Sequence, residues 1–96
     1  MNKQEQILII TAEEAAEVIQ EISKIFRFGI DEMHKSGISH RAKLEEEIGD
    51  LLCMIDLLFD RGIIEVSNVH KAIQAKKDKL KIYSNIFDDM EQKQND

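Results

Sequence analysis

The sequence predicts an all-α protein: an antiparallel bundle of three main helices, completed by oligomerisation. Three observations predict it. Proline is absent from all 96 residues, and three of the four glycines fall between periodic segments, so the candidate helices are uninterrupted. Apolar residues recur at helical spacing in three successive stretches. No run alternates β-branched with polar residues, and no Asn-Gly or Asp-Gly pair marks a hairpin. Oligomerisation is expected from size, because a chain this short buries only about 60–65% of its unfolded surface.

The first helix is expected from about residue 5 to Arg27. Ala12, Ala15, Ala16, Val18, Ile19, Ile22, Ile25 and Phe26 cover one half of it at roughly 100° per residue. Thr11 followed by Glu14 also fits a capping box, which offers an alternative start at Thr11. Phe28 to Ser39 contains Gly29, Ser36 and Gly37 and reads as a loop. The second helix is expected from about His40 to Arg61, ending at Gly62 as a left-handed cap. The third begins near Val66 or Ser67 and reaches about Tyr83, with Val69, Ala72, Ile73, Leu80 and Tyr83 as its stripe. Ile86 and Phe87 are able to extend it. The chain is read as one domain over 1–96, with a polar tail over about 85–96 that frays.

Composition excludes several classes. The 43% hydrophobic and 33% charged content is ordinary for a globular protein. No apolar stretch approaches the roughly 18–20 residues of a membrane span, and MNKQEQILII has no cleavage-site pattern of a signal peptide. One cysteine, Cys53, precludes an internal disulfide and fits a reducing cytoplasm. The net charge of −6 argues against phosphate-driven nucleic-acid binding. A phosphate-bearing ligand then requires a metal to reverse the local sign.

The carboxylates carry the chemistry. Glu13, Glu14, Glu17 and Glu21 fall on one arc of the first helix, an arrangement that a solvated acidic face also explains. The second helix is less easily explained. Leu44, Ile48, Leu51, Leu52, Ile55, Leu58 and Phe59 define its apolar stripe, Glu47 projects inside it, and Asp50 projects between Met54 and Leu57. An uncompensated buried carboxylate costs several kcal/mol or takes up a proton, so these acids need a partner. Lys24, Arg27, Arg41 and Lys43 are able to supply one as a structural ion pair. The alternative is a divalent cation. Glu14-x-x-Glu17 and Glu47-x-x-Asp50 each set two carboxylates one turn apart. Two such helices side by side bring four together, an all-oxygen set suited to Mg²⁺ or Mn²⁺ rather than zinc.

Among the bases, Lys24 lies two turns beyond Glu17 on the same face, followed by Arg27. Lys76 falls on the stripe of the third helix, where it either snorkels past the core or points into the acidic site. His34, His40 and His70 read as surface or capping residues, and Cys53 as a small buried one. No Glu-x-x-His di-iron motif, Gly-rich phosphate loop or Cys-x-x-Cys occurs. Ile7 to Ile10, Phe28 and Tyr83 are able to stack a base but are more simply core.

EEAAE followed by EEEIGD resembles the Glu-Glu-x-x-Glu … Glu-x-x-Asp signature of the MazG-like, all-α nucleoside triphosphate pyrophosphohydrolases. The wider text, EEAAEVIQEISKIFRFG, KLEEEIGDLLCMIDLL and AKKDKLKIY, is most similar to small phage-type members over roughly residues 8–83. The resemblance implies that Glu14, Glu17, Glu47 and Asp50 bind Mg²⁺ and form the catalytic set. It implies that Lys24, Arg27, Lys76 and Lys79 approach a triphosphate. The implied reaction is hydrolysis of a (deoxy)nucleoside triphosphate to monophosphate and pyrophosphate by a homodimer or homotetramer. The implied setting is the cytoplasm (the host's, if the gene is a phage's), with no nucleic-acid or membrane partner. The chain departs from the family in lacking a complete fourth helix, which a partner subunit would supply. A non-enzymatic helical module, its acidic face bound to a basic partner, is the competing expectation.

Overall fold

A computed structural model describes residues 1–89, and the part of the polar tail from residue 90 on lies outside them. Three helices follow one another: α1, Lys3–Phe28, α2, His40–Asp60, and α3, Val66–Tyr83. No strand occurs among the described residues, apart from one isolated bridge between Met33 and Ser39.

The helix ends follow local chemistry. Asn2, not Thr11, caps α1: its side-chain oxygen accepts from the Glu5 amide at 2.8 Å. Thr11 lies inside the helix, and its hydroxyl donates to the Ile7 carbonyl at 2.7 Å, the usual alternative for a mid-helix threonine. Ser39 caps α2 through the Ala42 amide at 3.1 Å. Gly62, at φ 67°, closes α2 as expected. Its amide bonds to Phe59 and that of Ile63 to Leu58, both at 2.9 Å, which is the Schellman pattern. α3 stops at Tyr83, where Ser84 Oγ donates to the Leu80 carbonyl at 2.6 Å, and Ile86 and Phe87 lie beyond it.

The chain divides into two compact units, Met1–Ile63 and Ile64–Asp96. The first is an antiparallel hairpin of α1 and α2. Its facing positions are spaced alternately four and three: 7, 11, 14, 18, 21 and 25 on α1, and 40, 44, 47, 51, 54 and 58 on α2. Each is buried or half-buried. This is the repeat of a two-helix seam. Glu21 meets His40 and Glu14 meets Glu47, and in both pairs the residue numbers sum to 61. The same register carries Ile7 to Met54.

Among the described residues, only Ile7, Met54 and Leu58 are buried apolar side chains, whereas Glu21, His40 and Glu47 are buried polar ones. The apolar half read for α1 from the sequence is therefore packed only in part: Val18 and Ile25 lie on the seam. Leu8, Ile19, Ile22 and Phe26 remain exposed, Phe26 at 87%. The second unit contains α3, in which no residue is buried.

Candidate metal centre

The 7-residue spacing of the hairpin seam sets its polar layers two turns apart. In one layer Glu14, Glu47 and Asp50 each bring a carboxylate oxygen within 4.8 Å of the others. Glu47 is buried at 8% exposure, Glu14 is half-buried and Asp50 exposed. Asp50 therefore sits at the mouth of the cluster, not within the apolar stripe as the sequence implied. Burial pushes the Glu14 carboxyl above its usual range, and repulsion from Asp50, Glu47, Glu17 and Glu13 adds to this. Glu17, exposed on α1, is thus close enough to be felt, although it stands outside the three-oxygen cluster.

One cation reaches this layer among the described residues. Lys43 Nζ lies 3.2 Å from Glu47 Oε1 and 3.4 Å from Glu46 Oε2, and both contacts hold the ammonium above its ordinary pKa, that to Glu47 most. Of the structural ion pairs the sequence allowed, this one forms on an acid of the cluster. Among the described residues, no salt bridge engages Glu14 or Asp50. The donor set fits a hard divalent cation: only oxygens, from three carboxylates on two helices, without histidine or thiolate.

Lys24, Arg27 and Arg41 engage other groups. Lys24 Nζ pairs with Glu21 Oε2 at 3.6 Å. The Arg27 guanidinium stands 4.9 Å over the Phe28 ring, and Arg41 makes a two-point contact with Asp31 at 2.9 and 3.3 Å. Lys76 and Lys79 are exposed on α3 in the second unit.

Two turns along the seam is a second polar layer that sequence reasoning missed. Glu21 is 2% and His40 4% exposed, and His40 Nδ1 lies 3.3 Å from Glu21 Oε1. An ionised carboxylate only accepts, so Nδ1 carries the hydrogen. His40 is neither a surface nor a capping residue. Its ring stacks on Phe28 at 5.7 Å and meets His34 edge-on at 5.5 Å. The available signal was the spacing of 14 to 21 and of 40 to 47, which places these polar residues on the same seam as the acids. Cys53 is exposed, not buried.

An all-α hairpin with opposed carboxylates on neighbouring helices defines a class of helical, oxygen-ligand sites suited to divalent ions. The chain belongs to the MazG family: the family's sequence profile, described as the MazG nucleotide pyrophosphohydrolase domain, matches residues 2–81. No curated protein and no solved structure matches the chain significantly. No helix among the described residues is long and apolar enough to cross a membrane.

Proposed function

We propose that the protein hydrolyses (deoxy)nucleoside triphosphates to monophosphate and pyrophosphate, using Mg²⁺, or Mn²⁺ in its place. Glu14, Glu47 and Asp50 would hold the ion, with Glu17 flanking them. The observation that carries this reading is the convergence of three carboxylate oxygens within 4.8 Å, of which only Glu47 is engaged by a cation. A bound divalent ion supplies positive charge for phosphate oxygens and lowers the pKa of a water. The chain supplies the rest. Glu47 is fixed by burial and by Lys43, whereas Asp50 and Glu17 are open to solvent and able to orient an attacking water. Lys24 and Arg27, further along α1, Lys76 and Lys79 on α3 are the candidate bases for the phosphates. The competing reading, a non-enzymatic acidic module, draws on the Lys43–Glu47 contact, but Glu14 and Asp50 have no such partner among the described residues.

The exposed α1 face of Leu8, Ile19, Ile22 and Phe26 favours a homodimer or homotetramer, which light scattering of a Phe26→Glu variant tests. The setting proposed is cytoplasmic, and the partners exclude nucleic acid and membrane. The deciding assay is a panel of nucleoside triphosphates with Mg²⁺, read as pyrophosphate rather than phosphate. Glu47→Gln is expected to abolish turnover while leaving helicity intact, and full pyrophosphate release by that variant refutes the assignment.

A further inference from the structure

Beyond α1, the loop from Gly29 to Ser39 folds back onto the helix ends. The Arg41 amide bonds to the Ile30 carbonyl at 2.7 Å and the His40 amide to that of Glu32 at 2.9 Å, while Asp31 grips Arg41. Between loop and helices is a cavity of about 430 Å³ lined by Lys24, Phe28, Glu32, His34, Lys35 and His40. It is joined to the acid cluster by one line of side chains: 14, 17, 21, 24 and 28 follow the three-four spacing of a single helix flank. The Glu21–His40 layer lies seven residues, or about 10 Å, from the Glu14–Glu47 layer.

We propose that this cavity receives the base of the nucleotide whose α-phosphate lies at the acid cluster, a proposal that rests on the function argued above. The span decides which end of the substrate enters. The triphosphate beyond the α-phosphorus is too short to reach the cavity, whereas a nucleoside with its base extended covers the distance. The lining agrees. Phe28 is half exposed, at 51%, and with His34 and His40 forms an aromatic wall of the kind on which any base stacks. Glu32 disfavours a phosphate inside the cavity, and Lys24, one turn nearer the acid cluster than Phe28 along α1, remains a candidate base for the phosphates. His40, almost wholly buried, has its Nδ1 committed to Glu21, so Nε2 is the ring nitrogen able to meet a polar edge of the base. Glu32 as acceptor and Lys35 as donor supply the remaining polar groups.

The test separates base from phosphate. In metal-free protein, nitrogen-15 NMR titrated with guanosine and uridine, which carry no phosphate, is expected to shift the amides around Phe28, His34 and His40. His34→Ala is expected to lose those shifts and to raise KM for the triphosphate on the order of tenfold, with kcat within about twofold of the parent. Inhibition by inorganic tripolyphosphate is expected to be unchanged in that variant. Nucleoside shifts confined to residues outside the cavity overturn the proposal, as does a loss of tripolyphosphate affinity that matches the change in KM. Phe28→Leu, which retains apolar volume, is a second variant with the same expected outcome. Because the nucleoside titration needs neither metal nor turnover, shifts at the cavity without pyrophosphate release from Mg²⁺ triphosphates would fault the catalytic reading and leave the base site standing.

Discussion

Replacing His40 with alanine tests the polar layer that organises the hairpin. The imidazole is 4% and its partner Glu21 2% exposed, so the substitution strips a buried carboxylate of its nearest donor, 3.3 Å away. Hydrogen bonds to charged groups contribute about 1.5–3 kcal/mol. Leaving a buried carboxylate wholly uncompensated costs about 3–5 kcal/mol. Lys24 Nζ remains 3.6 Å from Glu21 and is 37% exposed, so part of the charge stays compensated and the lower half of that range, about 3 kcal/mol, is expected. In a chain of this size that lowers Tm on the order of 12–24 °C. The assay is urea denaturation of His40→Ala, Glu21→Ala and the double variant. The cycle is expected to return a coupling of about 1.5–3 kcal/mol, with the double variant little worse than the worse single one. Strict additivity would show that the contact holds nothing, and the placement of the second polar layer would be wrong.

Mg²⁺ at tenfold its Kd is expected to stabilise by about 1.4 kcal/mol, a rise in Tm of about 6–11 °C for a domain of this size. Differential scanning fluorimetry reads it, and Asp50→Asn should erase it. Lys43→Ala removes the cation that competes for Glu47, so Mn²⁺ affinity measured by calorimetry should improve about two- to fivefold, in line with an exposed ion pair. The Arg41 hydrogen bond holds the Asp31 carboxyl below its ordinary value of 3.8. The stabilisation is therefore complete above that value and is lost as pH falls through the lower folded pKa. The small difference in melting temperature between parent and Asp31→Asn should be constant near neutrality and vanish in that acidic window.

The helices were legible because their boundaries are written locally. Gly62 and the apolar periods of α2 and α3 marked the ends to within a residue or two, and Ser39, which caps α2, agrees with them. The packed face of α1 was not. Ile19, Ile22 and Phe26 of its most apolar half stay exposed, and its seam sets Thr11, Glu14 and Glu21 among Ile7, Val18 and Ile25. Hydrophobicity locates a buried face only when burial is mainly apolar, and this seam is polar in two of its layers. Glu47 was readable as anomalous because it interrupts the strong stripe of α2. Glu21 was not, because it looked like one more member of an acidic arc, and its partner lies 19 residues away across a loop. The cavity depends on how that loop folds back over Phe28 and Lys24, which no spacing within a helix encodes.

The polar seam ties stability to ligand. An apolar two-helix seam would bury leucines at positions 14, 21, 40 and 47, each contributing about 1.5–3 kcal/mol. Here those positions hold two unlike arrangements. In the Glu21–His40 layer the acid has a resident partner, so the layer is complete in the protein alone. In the Glu14–Glu47–Asp50 layer the negative charges outnumber Lys43, and burial first, with repulsion from Asp50 and Glu47 added to it, pushes the Glu14 carboxyl above its usual range. Because both layers lie on one register, a cation bound at the acid layer would relieve repulsion where the carboxylate oxygens already converge. On the proposed reading the hairpin needs no rearrangement to take the ion, and the energy of binding would go into charge compensation rather than into ordering the chain. Metal binding should accordingly raise the melting temperature while leaving helicity at low temperature unchanged. A gain of helix on adding Mg²⁺ would mean instead that the acids keep α1 and α2 apart until the ion arrives.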